Sequence, residues 1–447
     1  MKHFDVVIVG GGPGGITTAL SARNTYPDKS ILLIRREERP MIPCGIPYTL
    51  HSLESVDQNV APDAPLIQNG IERLVTEVVE ISDGRLVLAD GETVAWERLV
   101  LATGSTPILP PIPGVEKEGV FTISKRAEEM ERLRAAVEAA SAVVVIGGGF
   151  IGIEVTDELL RKGKSVTLVE LEDHLLPTTM DEEFGEEVRS ILSARGTRVI
   201  TGDTVTEITG SAKTTGVRLA SGASVEADVV IVSVGYRPNL ELAQKMGLDV
   251  HPRFGIKTNE FMRTSAPGVF AVGDVAAKHH FLTGDFSPLM LASTAMAQGR
   301  LVGTNLYDVK VLKGFGGVLG TFSTKIGDTA FASTGLTEKQ AKALGIEYVV
   351  GEFETMDKHP GKLPGAHKQK VKLLFSRCNH VLIGAQIRGG DSVGEMINLL
   401  ALLVQTHTTD MNMNTMQIGT HPLLTASPIV YPVINAAVNA ILKRYKS

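Results

Sequence analysis

The stretch that decides the fold is VVIVGGGPGGITTALSA, Val6 to Ala22. A β-branched run stops at Gly10, the spacing Gly10-x-Gly12-x-x-Gly15 follows, and a helical segment begins. In such a strand–turn–helix unit the first glycine permits the tight turn and the second lets the backbone approach a pyrophosphate. The third lets helix and strand pack closely, with the phosphate at the helix N-terminus. One match alone is weak. The chain carries a second, VVVIGGGFIGIEVTDEL, Val143 to Leu159, with Gly147, Gly149 and Gly152 in the same places. Two copies, each between a strand signal and a helix signal, predict an α/β chain with two Rossmann-like dinucleotide-binding domains.

An acidic residue about 20 positions on holds the ribose hydroxyls in such units. The second copy supplies Glu170, at the end of SVTLVELED. The first copy reads SILLIRREE and has Arg35 there, with Glu37 and Glu38 beyond. Arg35 either greets a 2′-phosphate or is a plain surface charge. Two further strand ends fit a cofactor: RLVLATGSTP, with Ala102, Thr103 and Gly104, and APGVFAVGDVA, with Gly273 and Asp274. An aspartate at such an end can accept from a polyol chain. Glu154, in the first turn of the second helix, either holds a nicotinamide carboxamide or favours the helix dipole.

The 447 residues are too many for one ordinary core, so two or three domains are expected. A composition of 43% hydrophobic and 21% charged residues is that of a soluble globular protein. A net charge of −6 offers no basic field for nucleic acid. The N-terminus enters a strand at once, without a secretory leader, and apolar stretches such as Met396–Val404 are too short to span a bilayer. Two cysteines far apart make no disulfide framework, which points to the reducing cytoplasm. His279 and His280 lack a third ligand, so no metal site is expected. Val115 to Gly235 reads as its own α/β unit, with an amphipathic helix over Lys125–Ala140. After Gly316 the pattern turns to antiparallel strands and helices, an α+β domain.

Cys44 lies in MIPCGIPYTL, between two prolines and beside a glycine, where a helix is expected to begin; a helix N-terminus favours the thiolate. Cys378, in LLFSRCNHV, reads as a packed or surface thiol.

Together these residues resemble the flavoprotein disulfide reductases, over essentially the whole chain. The resemblance implies an FAD-binding domain split into 1–113 and 239–316, an inserted NAD(P)H-binding domain at 114–238, and a C-terminal dimerisation domain at 317–447. It implies FAD and NADH (or NADPH) as cofactors and a homodimer, with no nucleic-acid or membrane partner. Cofactor contacts are implied from Pro13, Gly14, Gly15, Val78, Ala295, Phe150, Ile151 and Gly235 besides the residues above. The two-cysteine branch is excluded, because the position five after Cys44 is Thr49. PCGIPY is similar to the motif of the single-cysteine coenzyme A disulfide and persulfide reductases, and makes Cys44 the redox cysteine. NADH oxidases and peroxidases of that branch usually carry a histidine in the first loop, where this chain has Pro13-Gly14-Gly15. The expected activity is NAD(P)H-driven reduction of small disulfides, persulfides or polysulfides. The alternatives are an NADH oxidase or peroxidase that cycles Cys44 through a sulfenic acid, and a flavin-based redox sensor or electron-transfer module. Arg23 is expected at coenzyme A phosphates, with Arg39 or Arg36 in support. His421, before Pro422, is either a base or a structural histidine; Ala426 stands where the two-cysteine branch has a glutamate to orient it.

Overall fold

The computed structural model describes residues 2–82 and 84–446. It divides into two compact units. One is built from residues 1–111, 119–140 and 231–318, the other from 112–118, 141–230 and 319–447.

The first unit is organised on a seven-stranded sheet. Strand Lys2–Val9 runs parallel to Ile31–Arg35 on one side and to Thr93–Leu101 on the other. Glu72–Val75 extends the sheet in parallel beyond Ile31–Arg35. Thr93–Leu101 is flanked twice on its far side. Its first half pairs antiparallel with Arg85–Leu88, and its last residues pair in parallel with Val269–Ala271. The central strands are almost wholly buried, from Val6 to Ile8 and from Leu99 to Leu101. That burial explains why they read as continuous apolar runs rather than as alternating ones. Helix Pro13–Thr25 packs on helix Ala292–Asn305 through small residues. A Cβ on Gly299 would stand 2.7 Å from the Gly14 carbonyl oxygen, so nothing larger fits there.

The second unit holds the repeat of the glycine motif and the C-terminal domain. Strands Ala142–Ile146, Ser165–Val169 and Arg198–Ile200 pair in parallel. Val205–Thr209, Gly216–Leu219 and Ser224–Glu226 form a small antiparallel sheet. The C-terminal sheet has the order Phe322–Ile326, Thr329–Gly335, Leu382–Gly389, Lys368–Ser376, Tyr348–Met356, and it is antiparallel throughout. Helix Val393–Gln405 packs on its second and third strands, and helix Pro432–Lys446 on its last two. The α+β style expected after Gly316 is therefore observed, as is the pair of Rossmann-like domains. The amphipathic helix expected over Lys125–Ala140 is observed as Ala127–Ala139.

Buried charge ties the C-terminal sheet to the second glycine-loop domain. Lys372 is 2% exposed, and its ammonium meets Asp181 at 2.8 Å together with Glu183 and Glu338. Asp181 also accepts from the Gln386 amide at 2.6 Å. The Lys372 pKa lies above the ordinary lysine value, because these three carboxylates outweigh the desolvation that pulls it down. Among the described residues, no helix is long and apolar enough to cross a membrane.

Candidate active site

In the first loop the Gly10 N–H donates to the Ile34 carbonyl at 2.8 Å, so the chain turns tightly off its strand. Gly10 has φ 125°, and a Cβ there would sit 2.0 Å from the Ala102 carbonyl oxygen. Only glycine meets both demands. Gly14 lies against Val272 and Ala295, and Ala295 also lies beside Gly273. Helix Pro13–Thr25 has Gly12 as its N-cap, no side-chain cap and no acid in its first turn. A Cβ on Gly12 would meet nothing within 4 Å. Helix Phe150–Arg161 repeats the arrangement with Gly149 as N-cap, again uncapped and open at the glycine; Glu154, expected in its first turn, is corrected to the second, so the first turn holds no acid to favour the dipole. Both helix ends thus present free N–H groups and an unobstructed approach. That is what a pyrophosphate requires, so the residues present fit two dinucleotides.

Around the first loop, Asp274 anchors a polar cluster. Its carboxylate accepts from Ser105 Oγ at 2.7 Å and from Lys125 Nζ at 2.8 Å. Burial works to raise the Asp274 carboxyl, but the charge of Lys125, the hydrogen bonds from Lys125 and Ser105 and the charge of Lys278 outweigh it. The group is held below the usual carboxylate range. Buried Lys278 donates to the carbonyls of Gly273 and Ala276, and desolvation lowers its pKa to about 8 against the pull of Asp274. Thr103 and Gly104 are fixed by Asn239, whose side-chain amide donates to the Thr103 carbonyl at 2.8 Å and whose backbone N–H donates to that of Gly104. Val78 is buried in its strand, and Gly235 is exposed and accepts from the Ile108 N–H.

Cys44 is exposed. The helix expected to start there is corrected: the segment forms two short 3-10 turns, Pro43–Gly45 and Pro47–Leu50. Each proline sits at the start of its turn, and so few aligned peptides make no macrodipole. What fixes the turn is Asn59. It is buried, its amide donates to the Ile42 carbonyl at 3.0 Å, and a Cβ on Gly45 would collide with its Oδ1 at 1.9 Å. Arg134 braces the following residues by donating to the carbonyls of Thr49, Leu53 and Glu54. Neither Asn59 nor Arg134 carries a local sequence signal.

Three arginines singled out from sequence are engaged within the protein. Arg35 is 2% exposed, pairs with Asp63 and donates to the carbonyls of Glu37 and Glu38; it is not a surface charge. Burial lowers its pKa against the neighbouring Glu38 and Glu37. Arg23 donates to four carbonyls, those of Pro27, Lys29, Asn69 and Gly70. Arg39 meets Asp57, Glu128 and Glu131.

In the second loop, Glu170 is 8% exposed and accepts from the Gly148 N–H at 2.6 Å and from the Glu172 N–H at 2.8 Å. Gly147 turns with φ 105° and donates to the Val169 carbonyl, as Gly10 does to Ile34. Gly152 is buried on the helix beside half-buried Ile151, and Phe150 stacks on Phe322 at 4.9 Å. Glu154 accepts from Thr324 Oγ1 at 2.9 Å. Desolvation pushes its pKa up to about 7, opposed by the Thr324 bond and reinforced by Glu158. His421 is exposed on a loop. Its Nδ1 accepts from the Leu423 N–H at 3.3 Å, which places the ring proton on Nε2 when the ring is neutral.

The family profile described as pyridine nucleotide-disulphide oxidoreductase matches residues 4–299, and the dimerisation domain of the same group matches 321–428. The chain belongs to the pyridine nucleotide-disulphide oxidoreductases. An NADH oxidase of Methanocaldococcus jannaschii is 32% identical to this oxidoreductase over 89% of the chain and 90% of the relative. An NAD(P)H coenzyme A polysulfide/persulfide reductase of Pyrococcus horikoshii is 30% identical over 90% and 92%. Among solved structures, an NAD-dependent persulfide reductase from A. fulgidus superposes with a TM-score of 0.92 at 31% identity, covering 99% of this chain and 84% of that one. The oxidoreductase is an enzyme that works with FAD and NAD(P)H, the two dinucleotides its loops fit.

Proposed function

We propose that the oxidoreductase reduces small persulfides, polysulfides or disulfides, coenzyme A species among them, with NADH as donor and Cys44 as the reacting thiol. The observation that carries this reading is an exposed cysteine on a braced turn, with a threonine rather than a cysteine five positions on. Thr49, where a second cysteine would stand, is fully buried, and its hydroxyl donates to the Ile46 carbonyl at 2.7 Å. A disulfide formed by Cys44 therefore involves a sulfur from outside the turn. The P. horikoshii and A. fulgidus relatives, both persulfide reductases by name, support it.

On this reading the first glycine loop and Asp274 hold FAD, and the second loop with Glu170 and Glu154 holds NADH. FAD, when bound, relays an electron pair from the nicotinamide to sulfur. The Cys44 thiolate attacks one sulfur of RSSR′; the Cys44–S bond forms as the S–S bond breaks, and RS⁻ leaves and takes a proton. The electron pair then cleaves the mixed disulfide, returning Cys44 to the thiolate while R′S⁻ leaves and takes the second proton. The sum is NADH + H⁺ + RSSR′ → NAD⁺ + RSH + R′SH. A coenzyme A substrate brings phosphates that need fixed cations. Arg23 and Arg39 are engaged by carbonyls and carboxylates, so this role passes to Arg36, whose side chain is 56% exposed and 3.7 Å or more from its acidic neighbours. The match to a dimerisation domain and the unabsorbed apolar side chains Leu423, Leu424 and Ile429 support a homodimer, and a redox cysteine that must return to the thiolate fits the reducing cytoplasm.

A second reading, favoured by the M. jannaschii relative, makes oxygen or peroxide the acceptor, with Cys44 oxidised to a sulfenic acid. Stopped-flow reoxidation of the reduced enzyme by coenzyme A disulfide, polysulfide, peroxide and oxygen separates the two. The proposal requires a sulfur acceptor to be fastest, with that advantage lost in Cys44→Ser. Faster reoxidation by oxygen overturns it.

A further inference from the structure

One face of the second-loop helix is met by the C-terminal domain. Phe150, Glu154 and Asp157 lie at helical spacings of four and three, hence on one side of helix Phe150–Arg161. Each has a partner from the first hairpin of the C-terminal sheet. Phe322 stacks on Phe150, Thr324 Oγ1 donates to Glu154 Oε1 at 2.9 Å, and the Gly327 N–H donates to Asp157 Oδ1 at 3.1 Å. Phe322 and Thr324 stand two apart on a strand, so both reach the same side.

Among these contacts the one to Glu154 is chemically distinctive. Asp157 is ion-paired with Arg161 and Arg195, whereas among the described residues no lysine, arginine or histidine pairs with Glu154. Of the charged groups nearby, Glu158 on the same helix is repulsive, and on the facing strand Lys325 is drawn to Asp391. The carboxyl is half-buried, and a neutral hydroxyl holds it. A hydroxyl can donate to a carboxylate or accept from a carboxylic acid, so it can hold either form, and as a donor it favours the ionised one.

We propose that Thr324, a residue of the C-terminal domain, is a positioning residue for pyridine-nucleotide binding: its hydroxyl sets the orientation and charge of Glu154. The inference rests on the reading of Glu154 as a nicotinamide group given above. An ionised Glu154 accepts from a carboxamide N–H and attracts the cationic ring of NAD⁺, and a protonated one does neither as well. The affinity for NAD⁺ then rises with pH through a limb near 7. Loss of the Thr324 donor favours the protonated form and moves that limb to higher pH.

The test is calorimetric titration of the FAD-loaded enzyme with NAD⁺ from pH 5.5 to 9, with infrared difference spectra to follow protonated carboxyl directly. Thr324→Val is expected to move the limb upward by about half to one unit, roughly a threefold to tenfold change in proton affinity. Thr324→Ser keeps the hydroxyl and is expected to restore the wild-type position. Glu154→Gln is expected to flatten the profile and remove the titrating carboxyl band. If Glu154→Gln binds NAD⁺ as wild type does at every pH, the reading of Glu154 fails. If Glu154→Gln flattens the limb but Thr324→Val leaves it in place, the positioning role of Thr324 is overturned. Should Thr324→Val not fold, a limb displaced in Thr324→Ser overturns the inference just as directly.

Discussion

Replacement of Glu170 by alanine is expected to abolish discrimination between NADH and NADPH, at a cost to NADH itself. A 2′-phosphate placed about 5 Å from the carboxylate meets a repulsion of about 3 kcal/mol per unit charge at an effective dielectric constant of about 20. Solvent at the rim and salt reduce this to about 1–3 kcal/mol, or roughly ten- to hundredfold in kcat/KM. The structure adds a second consequence. Both carboxylate oxygens already accept backbone N–H groups, from Gly148 within the glycine loop and from Glu172 beyond the strand. Alanine leaves both donors without a partner. Charge-assisted bonds of this kind contribute about 1.5–3 kcal/mol each, so KM for NADH should rise even though the adenine end lies far from the chemistry. Steady-state kcat/KM for both nucleotides, at two ionic strengths, measures the two effects separately. In Glu170→Ala the NADPH value should approach that of NADH, chiefly because NADH has fallen. Glutamine keeps one acceptor and no charge, so Glu170→Gln should lose discrimination with a smaller rise in KM. An alanine variant that still prefers NADH tenfold would refute the reasoning.

Lys372→Met should destabilise the second unit by about 3 kcal/mol, the low end for a broken buried pair, because Glu183 and Glu338 can rehydrate while Asp181 cannot. Thermal unfolding checks it, and an unchanged midpoint would show that the acids carry no cost. The pKa of Lys372 is raised, so its contribution is complete at neutral pH and fades only as pH climbs through the raised value. The pKa of Glu338 is depressed, so its share is lost as pH falls through the acid range. Asp274→Asn removes the charge that Lys125 and Ser105 hold, and should lower retention of FAD on gel filtration at least tenfold; a variant that remains fully yellow contradicts the assignment. Arg36→Ala should slow turnover of coenzyme A disulfide about tenfold and leave inorganic polysulfide nearly unchanged, and an equal loss on both acceptors would remove Arg36 from the ligand.

Both dinucleotide loops were legible in the sequence because backbone sterics impose their residues. Gly10 cannot carry a Cβ against Ala102, and that demand is local enough to repeat as a motif. The buried strands were legible for the same reason, as apolar runs. What stayed hidden is long-range pairing between polar groups. Lys125 meets Asp274 across 149 positions, Thr324 meets Glu154 across 170, and Arg23 reaches carbonyls 46 and 47 residues away. Nothing periodic marks such partners. The helix expected at Cys44 failed on a different ground. Pro43 and Pro47 each suit a helix start, and two starts four residues apart leave room only for turns.

The pairing of Val269–Ala271 with the end of Thr93–Leu101 has a consequence for synthesis. The ribosome reaches the later strand about 170 residues after the earlier one, roughly 10–30 s at ordinary elongation rates. Through that interval the carboxyl end of Thr93–Leu101, the apolar stretch Leu99 to Leu101, is an unpaired edge on a nascent chain. The first unit is thus exposed to wrong pairing for over a third of the time the chain is being made. A holdase chaperone bound over Leu99 to Leu101 while segment 102–268 emerges would shield it.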